Sequence, residues 1–477
     1  MIVNDVTNDY KGKRVAVIGM ARTGMAVAAA LRTLGAEVTL YDRKPAEELE
    51  DSLAEAARLG VAARPGIDAP PLGGADLVIP SPGIPREAPV FVKAREMGIP
   101  VLSEIELAYR LSRAPIIAVT GTNGKTTTTV MIGKMLEADG RDTYIAGNVV
   151  AGDIRLPLVT AAVRATEKSV IVAEISTFQL EWIESFRPRI GALLNISRDH
   201  GDRHTNMDEY ADLKASLFRN QRPDDYAIVN ADHPLVMERT GGVKSRILPF
   251  SRLMEPREGA FVRGEELIVR LDGREVRICS KSEIPVPGEH NVENALAASL
   301  AAVAFGAEAG AVAEAIRAFT PIEHRLEPVE EIDGVLYINN SMCTNVDAVV
   351  RSIEAIDRPL VVIAGGKDKG SDWVPFAEVV KRSVKELILI GVSAPLIESA
   401  VRDAGYTRIT NAASMDRAVE AARGLAEPGD AVLLAPGCAS FDMFKGFEDR
   451  GRVFKSIVRQ YQGCVVGSAK SSGERAK

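Results

Sequence analysis

Thr120-Gly121-Thr122-Asn123-Gly124-Lys125-Thr126-Thr127 follows the apolar run Pro115-Ile116-Ile117-Ala118-Val119 and leads into apolar pairs at helical spacing, Val130-Met131 and Met135-Leu136. A strand that turns through small residues into a helix start aims backbone N–H groups at one spot, where the helix dipole favours an anion. Lys125 adds a point charge for β- and γ-phosphates, and the Thr126 hydroxyl suits magnesium. The glycines are closer together than in the standard phosphate loop, with Val119 where its first glycine would stand. A Gly/Thr-rich turn with no ligand is the plain alternative; the reading adopted is an ATP loop.

Around this stretch the chain reads as a succession of α/β units. Arg14 to Gly19 is a buried strand, Gly24 to Leu34 a helix ending at Gly35, Glu37 to Asp42 a second strand, and Asp76 to Pro80 a third that runs into Ser81-Pro82-Gly83. The first turn, Gly19-x-Ala21-x-x-Gly24 with Asp42 closing the second strand, is near a dinucleotide fingerprint but lacks its middle glycine. NAD and another nucleotide-bearing ligand are both compatible with it. In the central block, strands are predicted at 116–120, 143–147, 169–176, 190–196 and 225–230, with hairpins of a small antiparallel sheet over 247–284 and an Ala-rich helix at 294–305. A third block alternates again, with strands at 335–339, 360–366, 386–391 and 431–436. The expected fold is three consecutive α/β domains: a Rossmann-like unit at 1–113, an ATPase-like unit with the small sheet at 114–321, and a second Rossmann-like unit at 322–463. A small, polar tail at 464–477 is expected to be disordered.

Bulk properties narrow the class. The 477 residues are 46% hydrophobic and 26% charged, as in an ordinary globular protein. A net charge of −7 argues against a general nucleic-acid or anionic-membrane surface. No run approaches the roughly 18 apolar residues of a membrane span, and the start MIVNDVTNDYKGK lacks a signal-peptide core. Cys279, Cys343, Cys438 and Cys464 stand far apart without metal-type spacing, so a reduced, cytoplasmic chain is expected.

Several further residues suit phosphate or metal chemistry, each with a plainer reading beside it. Glu174 ends the apolar strand Val170 to Ala173 and fits a magnesium ligand or a strand-end salt bridge. Two of the five histidines lie in Arg198-Asp199-His200-Gly201-Asp202-Arg203-His204, a strand-end cluster that suits a metal, a phosphate or solvent. Lys214 lies on the stripe of Tyr210, Leu217 and Phe218 in a helix predicted at 208–218. It reads either as a snorkelling lysine or as a buried amine with a lowered pKa that adds carbon dioxide, since a carbamate can bridge a metal and an ammonium cannot. Arg325, after His324, suits a bidentate grip on phosphate or an ion pair. Gly365-Gly366-Lys367-Asp368-Lys369 is a second Gly/Lys turn or a solvated loop.

Taken together, these segments resemble the Mur ligases, ATP-dependent amide-bond ligases of the peptidoglycan peptide, over nearly the whole chain. Gly121 to Thr126 looks like the family's ATP loop, Glu174-Ile-Ser-Thr-Phe-Gln-Leu-Glu181 like the segment of the first magnesium ligand, and Asp199-His200 with Lys214 like the second metal site with its carbamylated lysine. His290-Asn291-Val-Glu-Asn294 and His324-Arg325 resemble the ATP-contacting segments. Gly19 to Gly24, Ser81 to Pro85 and Ala435 to Phe447 resemble the branch that adds glutamate.

The resemblance implies ATP, two magnesium ions, UDP-N-acetylmuramoyl-L-alanine and D-glutamate as ligands, an acyl-phosphate intermediate, and a monomer. It assigns catalysis to Lys125, His200, Lys214 and Arg325, and metal to Thr126, Glu174, His200 and Lys214. ATP contacts fall on Gly121 through Thr128 (Thr122, Asn123, Gly124 and Thr127 included), Asn291, Asn294, His324 and Arg325. Substrate contacts fall on Ala21, Arg22, Asp42, Ser81, Pro82, Gly83, Asn148, Ser176, Thr344, Lys369, Ser440 and Phe447. One stretch departs: the family's Asp and Lys are here Asn340 and Met342. This leaves L-glutamate or another amino acid open beside D-glutamate, and Met342→Lys is expected to lower the glutamate KM. A folylpolyglutamate-synthase-like enzyme shares the ATP-loop logic but not the first domain; an NAD oxidoreductase leaves Gly121–Thr127 unexplained; a non-catalytic nucleotide module leaves Glu174, His200 and Lys214 without a role.

Overall fold

The structure is a computed structural model that describes residues 9–199, 203 and 206–471. Three sheets follow one another along the chain. The first contains β1 (Arg14–Ile18), β2 (Glu37–Tyr41), β3 (Ala62–Arg64) and β4 (Leu77–Pro80) in the order β3-β2-β1-β4, all parallel. The chain reverses its direction of travel across the sheet between β1 and β4, which opens a crevice beyond their C-terminal ends.

The second sheet contains β5 (Ile116–Thr120), β6 (Asp142–Gly147), β7 (Ser169–Glu174), β8 (Ile190–Leu193), β9 (Tyr226–Asn230), β10 (Arg246–Ser251), β11 (Gly259–Arg263), β12 (Glu266–Leu271) and β13 (Arg274–Ser280). Its order is β13-β12-β11-β10-β9-β8-β5-β7-β6. The β5 strand lies inside it, fully buried (every residue from Ile116 to Thr120), as a parallel strand with helices on both faces should be. The hairpins expected over 247–284 do form, at β11-β12-β13, yet they extend this same sheet through the parallel strand β10. The third sheet contains β14 (Glu327–Ile332), β15 (Val335–Asn339), β16 (Leu360–Gly365), β17 (Val384–Ile390), β18 (Ile409–Asn411) and β19 (Ala431–Leu434), ordered β14-β15-β19-β16-β17-β18. Only β14, at its edge, is antiparallel.

Two compact units result. One holds the first two sheets; the other holds the third, together with short stretches beginning at Ser197 and Ile284. Within the first unit one apolar core runs from Tyr10 and Val17 through Leu107 and Phe186 to Val229, beside a smaller cluster around Leu72, Val78 and Phe91. The helix Glu104–Leu111 joins its two sheets through two buried glutamates. Glu106 accepts hydrogen bonds from the backbone N–H groups of Glu184, Ser185 and Phe186 and from Arg110 Nε. Burial pushes its carboxyl up, but Ser185, Arg110 and these amides outweigh that and hold it below the usual carboxylate range. Glu104, two residues earlier, is treated differently by its surroundings: burial pushes it up to about 7.

The last helix is Phe447–Ser471, so it continues into the segment expected as a tail; 472–477 lie outside the described residues. Cys343 and Cys438 are free and buried, and burial pushes both thiols up to about 12, as expected of inert core cysteines. Among the described residues no helix is long and apolar enough to cross a membrane.

Candidate active site

The ATP-loop reading rests on backbone geometry. β5 ends at Thr120 and the helix Lys125–Ala138 starts after Gly124, whose φ of 83° is a left-handed conformation that suits glycine. A Cβ at Gly124 would also lie 2.3 Å from Asn294 Oδ1. Asn294 accepts from Thr128 Oγ1 at 3.2 Å, so a distant helix braces the loop where no side chain fits. Asn195 braces it from the other side. Its Oδ1 accepts from Asn123 N at 2.8 Å, its Nδ2 donates to Asn123 O at 3.1 Å, and its carbonyl accepts from Thr122 N at 3.0 Å.

Inside the loop, Lys125 Nζ donates to the carbonyls of Gly121 (2.9 Å) and Thr122 (2.8 Å). Thr126 Oγ1 donates to Glu174 Oε2 at 2.7 Å, and Asn148 Nδ2 donates to Glu174 Oε1 at 2.9 Å. A hydroxyl and a carboxylate thus converge at the first turn of the helix, both buried, which is a donor set that fits magnesium. The Thr127 hydroxyl is buried there without a hydrogen-bond partner among the described residues. Ser176 lies two residues beyond β7 and caps the short helix Thr177–Leu180 in a reciprocal capping box with Gln179.

Lys214, 2% exposed, sits in the helix Met207–Ala215, with its Nζ donating to Gly121 O at 2.7 Å and lying 4.4 Å from the Tyr210 ring centre. Of the two sequence readings, a snorkelling lysine and a buried amine, the position of the side chain matches the buried one. His200 lies outside the described residues, and among the described residues no cluster of three or more His, Cys, Asp or Glu is poised for a metal.

The crevice of the first sheet gathers the residues expected for the substrate's nucleotide end. Asp42 Oδ2 accepts from Met20 N at 2.8 Å, and Ser81 N donates to Ile18 O at 2.7 Å. The helix Arg22–Thr33 begins after Ala21, which supplies no side-chain cap. Gly19 (φ 102°) would put a Cβ 2.4 Å from Ser81 Oγ, and Gly24 one 2.0 Å from Gly19 O. The fingerprint glycines are therefore needed for close packing.

In the second unit, His324 is buried with its Nδ1 2.8 Å from Asn339 Nδ2, and burial holds it below the usual histidine range. Its neutral ring accepts the amide proton. Arg325 Nη2 donates to the Met342 sulfur at 3.3 Å. Asn340 is satisfied at both ends, accepting from Leu326 N at 3.1 Å and donating to Ser352 Oγ at 2.7 Å. Asn345 caps the helix Val346–Glu354 beside Thr344. Lys369 Nζ lies 3.5 Å from Asp199 Oδ1, and Asn291 Nδ2 donates to Pro287 O at 2.6 Å. Ser440 is buried, while the Phe447 carbonyl accepts from Ser341 Oγ at 2.7 Å. Arg450, fully buried, holds this corner by donating to Ser341 O (2.8 Å) and Cys438 O (3.1 Å). Burial pushes its guanidinium down to about 10. The sequence offered no signal for Arg450, and for Asn195 only an asparagine at a strand end.

With this geometry in place, the comparisons with known proteins are specific. Residues 13–103 match the Mur ligase MurD-like N-terminal domain, 119–302 the Mur ligase middle domain and 324–438 the Mur ligase glutamate ligase domain. A UDP-N-acetylmuramoylalanine–D-glutamate ligase of Pelotomaculum thermopropionicum is 47% identical over 455 residues, covering 94% of this chain and 98% of its own. The ligase of that name from Thermoanaerobacter pseudethanolicus is 43% identical, covering 95% and 99%. Among solved structures, the UDP-N-acetylmuramate–alanine ligase MurC of Thermotoga maritima superposes with a TM-score of 0.59 at 19% identity, covering 94% and 99%. The folylpolyglutamate synthase of Mycobacterium tuberculosis superposes at 0.57 with 15% identity, covering 74% and 92%. These two carry the fold alone.

Proposed function

We infer, since this chain belongs to the Mur ligase family, that it joins D-glutamate to UDP-N-acetylmuramoyl-L-alanine at the expense of ATP, in the cytoplasm, as a step of peptidoglycan precursor synthesis. The observation that carries the chemistry is the Thr126–Glu174 oxygen pair at the mouth of the Gly121–Thr127 loop; the substrates follow from the names of relatives up to 47% identical over almost the full chain.

The mechanism proposed for these residues begins with the alanyl carboxylate taking the γ-phosphoryl group of ATP, giving an acyl phosphate and ADP. The amine of glutamate, its ammonium proton passed to solvent, attacks the acyl carbon, and the tetrahedral adduct hands a second nitrogen proton to the departing phosphate to leave the amide. Thr126 and Glu174 would hold magnesium, which would supply charge neutralisation for phosphoryl transfer. The backbone N–H groups at the start of the helix Lys125–Ala138 hold the phosphates, and Lys125 exchanges its two carbonyl partners for phosphate oxygens. His324 and Arg325 serve ATP. Lys369, Ser440 and Phe447 serve the amino acid, and the crevice at Ala21, Asp42 and Ser81 serves the nucleotide end. Lys214 as a carbamate would supply, with His200, an anionic donor set for a second ion.

Phosphate release from ATP is the test, with UDP-N-acetylmuramoyl-L-alanine and D-glutamate, L-glutamate or a panel of other amino acids. Turnover with D-glutamate supports the reading; turnover only with another amino acid moves the specificity, and none with any acceptor overturns the ligase.

A further inference from the structure

The contact between His324 and Asn339 has its protonation fixed by the bonds around it. Asn339 cannot turn its amide over: Oδ1 accepts from Ser341 N at 3.2 Å, and Nδ2 donates to Glu327 Oε2 at 2.9 Å. The same Nδ2 lies 2.8 Å from His324 Nδ1, so Nδ1 is the acceptor and the ring is neutral with its proton on Nε2. A charged ring would carry N–H on both nitrogens and set donor against donor. The turn that carries the ring is strained. His324 (φ 66°) and Leu326 (φ 43°) are both left-handed without being glycine, and Arg325 stands between them. Glu327 Oε2 secures the first of the two by accepting from His324 N at 2.9 Å.

Carboxylates flank the ring. Glu323 Oε1 lies 3.7 Å from Nε2 and Glu327 Oε2 lies 3.9 Å from Nδ1, with Glu448 acting from the last helix. All three favour the charged ring. Burial is the strongest influence against it, and Lys455 is the cation that opposes them. Lys455 is 8% exposed on the helix Phe447–Ser471. Its Nζ donates to Glu323 Oε1 at 2.7 Å and to Glu327 Oε1 at 2.8 Å. The oxygen of Glu323 that faces His324 Nε2 is thus the one Lys455 takes. The other cations nearby are engaged elsewhere: Arg452 is exposed and pairs with Asp449 at 3.8 Å, and Arg325 turns to Met342.

We propose that Lys455 is a positioning residue for ATP: by occupying the two carboxylates beside His324 it keeps that ring neutral and bonded to Asn339, and so keeps the His324–Arg325 turn in shape. This rests on the function proposed above, in which His324 and Arg325 serve ATP. Lys455→Met leaves Glu323 facing Nε2 with no other claim on its charge, which favours an imidazolium that Asn339 repels. Adding Glu323→Gln removes that charge and restores the neutral ring.

Steady-state kinetics of the full chain between pH 6 and pH 9, with NMR titration of its histidine rings over the same range, are the readouts. The chain has five histidines, and the His324 signal is the one missing from His324→Asn. In wild type that signal should stay neutral throughout. In Lys455→Met it should titrate, and the KM for ATP should be about tenfold above wild type at pH 6, converging on it at pH 9. The KM for UDP-N-acetylmuramoyl-L-alanine should not change. Lys455→Arg should match wild type, and Lys455→Met with Glu323→Gln should recover both readouts. Lys455→Gln, which keeps a donor without the charge, stands in if the methionine variant does not fold. A ring that stays neutral without Lys455 would overturn the proposal, as would a KM for ATP that is unchanged or raised equally at every pH, or a double variant no better than the single one. If the wild-type chain turns over no acceptor, the ligase reading falls and the histidine titration alone decides. A ring that titrates in the single variant and not in the double then supports the positioning, and any other pattern sinks it.

Discussion

Lys125 and Lys214 place their ammonium nitrogens on the same acceptor, the carbonyl oxygen of Gly121, at 2.9 and 2.7 Å. Two cations converging on one carbonyl repel each other, and in a buried setting that repulsion is weakly screened. Converting Lys214 to a carbamate reverses the sign of the interaction and leaves Lys125 facing an anion. The expected outcome is a mass gain of one carbon dioxide on the peptide containing Lys214, and turnover that falls when bicarbonate is stripped from the buffer. Lys214→Arg, which keeps a cation but cannot be carbamylated, should lose about a hundredfold or more in kcat.

The Met342 sulfur faces the Arg325 guanidinium, which changes the expectation for that position. A lysine there would put a second cation against Arg325 rather than a new contact on glutamate. At an effective dielectric constant of about 20, two unit charges at such a separation repel by a few kcal/mol before they move apart. Met342→Lys should therefore raise the KM for ATP several-fold and leave that for glutamate little changed, while Met342→Leu should stay near wild type. A lower glutamate KM in the lysine variant would restore the reading made from sequence.

Glu104 gives a pH signature of defined sign. Its carboxyl is raised from 4.5 unfolded to about 7 folded, so between these values the folded state binds more protons. Its contribution to stability is full below pH 4.5 and is lost as pH rises through about 7, on the order of 3 kcal/mol in all. His324, held below its ordinary value, acts oppositely and loses stability as pH falls. The difference in unfolding free energy between wild type and Glu104→Gln isolates the glutamate: it should shift in favour of wild type as pH drops from 8 to 5. A flat difference would contradict the burial of this carboxyl.

Gly451 tests the seating of His324. Replacing a helical glycine with alanine ordinarily gains up to about 1 kcal/mol. Here the added Cβ would lie 2.3 Å from His324 Nδ1, and His324 already holds a φ of 66°. Overpacking of this kind costs about 1–3 kcal/mol, so the steric effect wins. Gly451→Ala should lower the melting temperature and weaken ATP binding by calorimetry, with the amino-acid side unaffected.

How far the sequence reaches depends on whether a feature is local. The strand–loop–helix turn at Gly121–Thr127 was legible because its glycine, lysine and threonine residues fall within eight residues of one strand. Lys214 was legible as lying on an apolar helix stripe, but the choice between snorkelling and burial came only with its Nζ on Gly121 O. Asn195 was not, since its partner Asn123 is 72 residues away and an asparagine after an apolar strand reads as a strand end. The edge strand β14, Glu-Pro-Val-Glu-Glu-Ile, was missed because a proline and three glutamates mimic a loop. Glu104 and Glu106 look like the solvated face of a helix until the donors around them, far along the chain, are seen.

The helix Glu104–Leu111 also bears on how this protein can be divided. By sequence it closes the 1–113 module, yet Glu106 has its backbone partners at Glu184, Ser185 and Phe186. A fragment cut at 113 would keep the carboxylate and lose every one of those amides. The 1–113 module is thus a passenger of its neighbour: grafting it onto another ligase should require carrying the 184–186 segment, or an equivalent, with it.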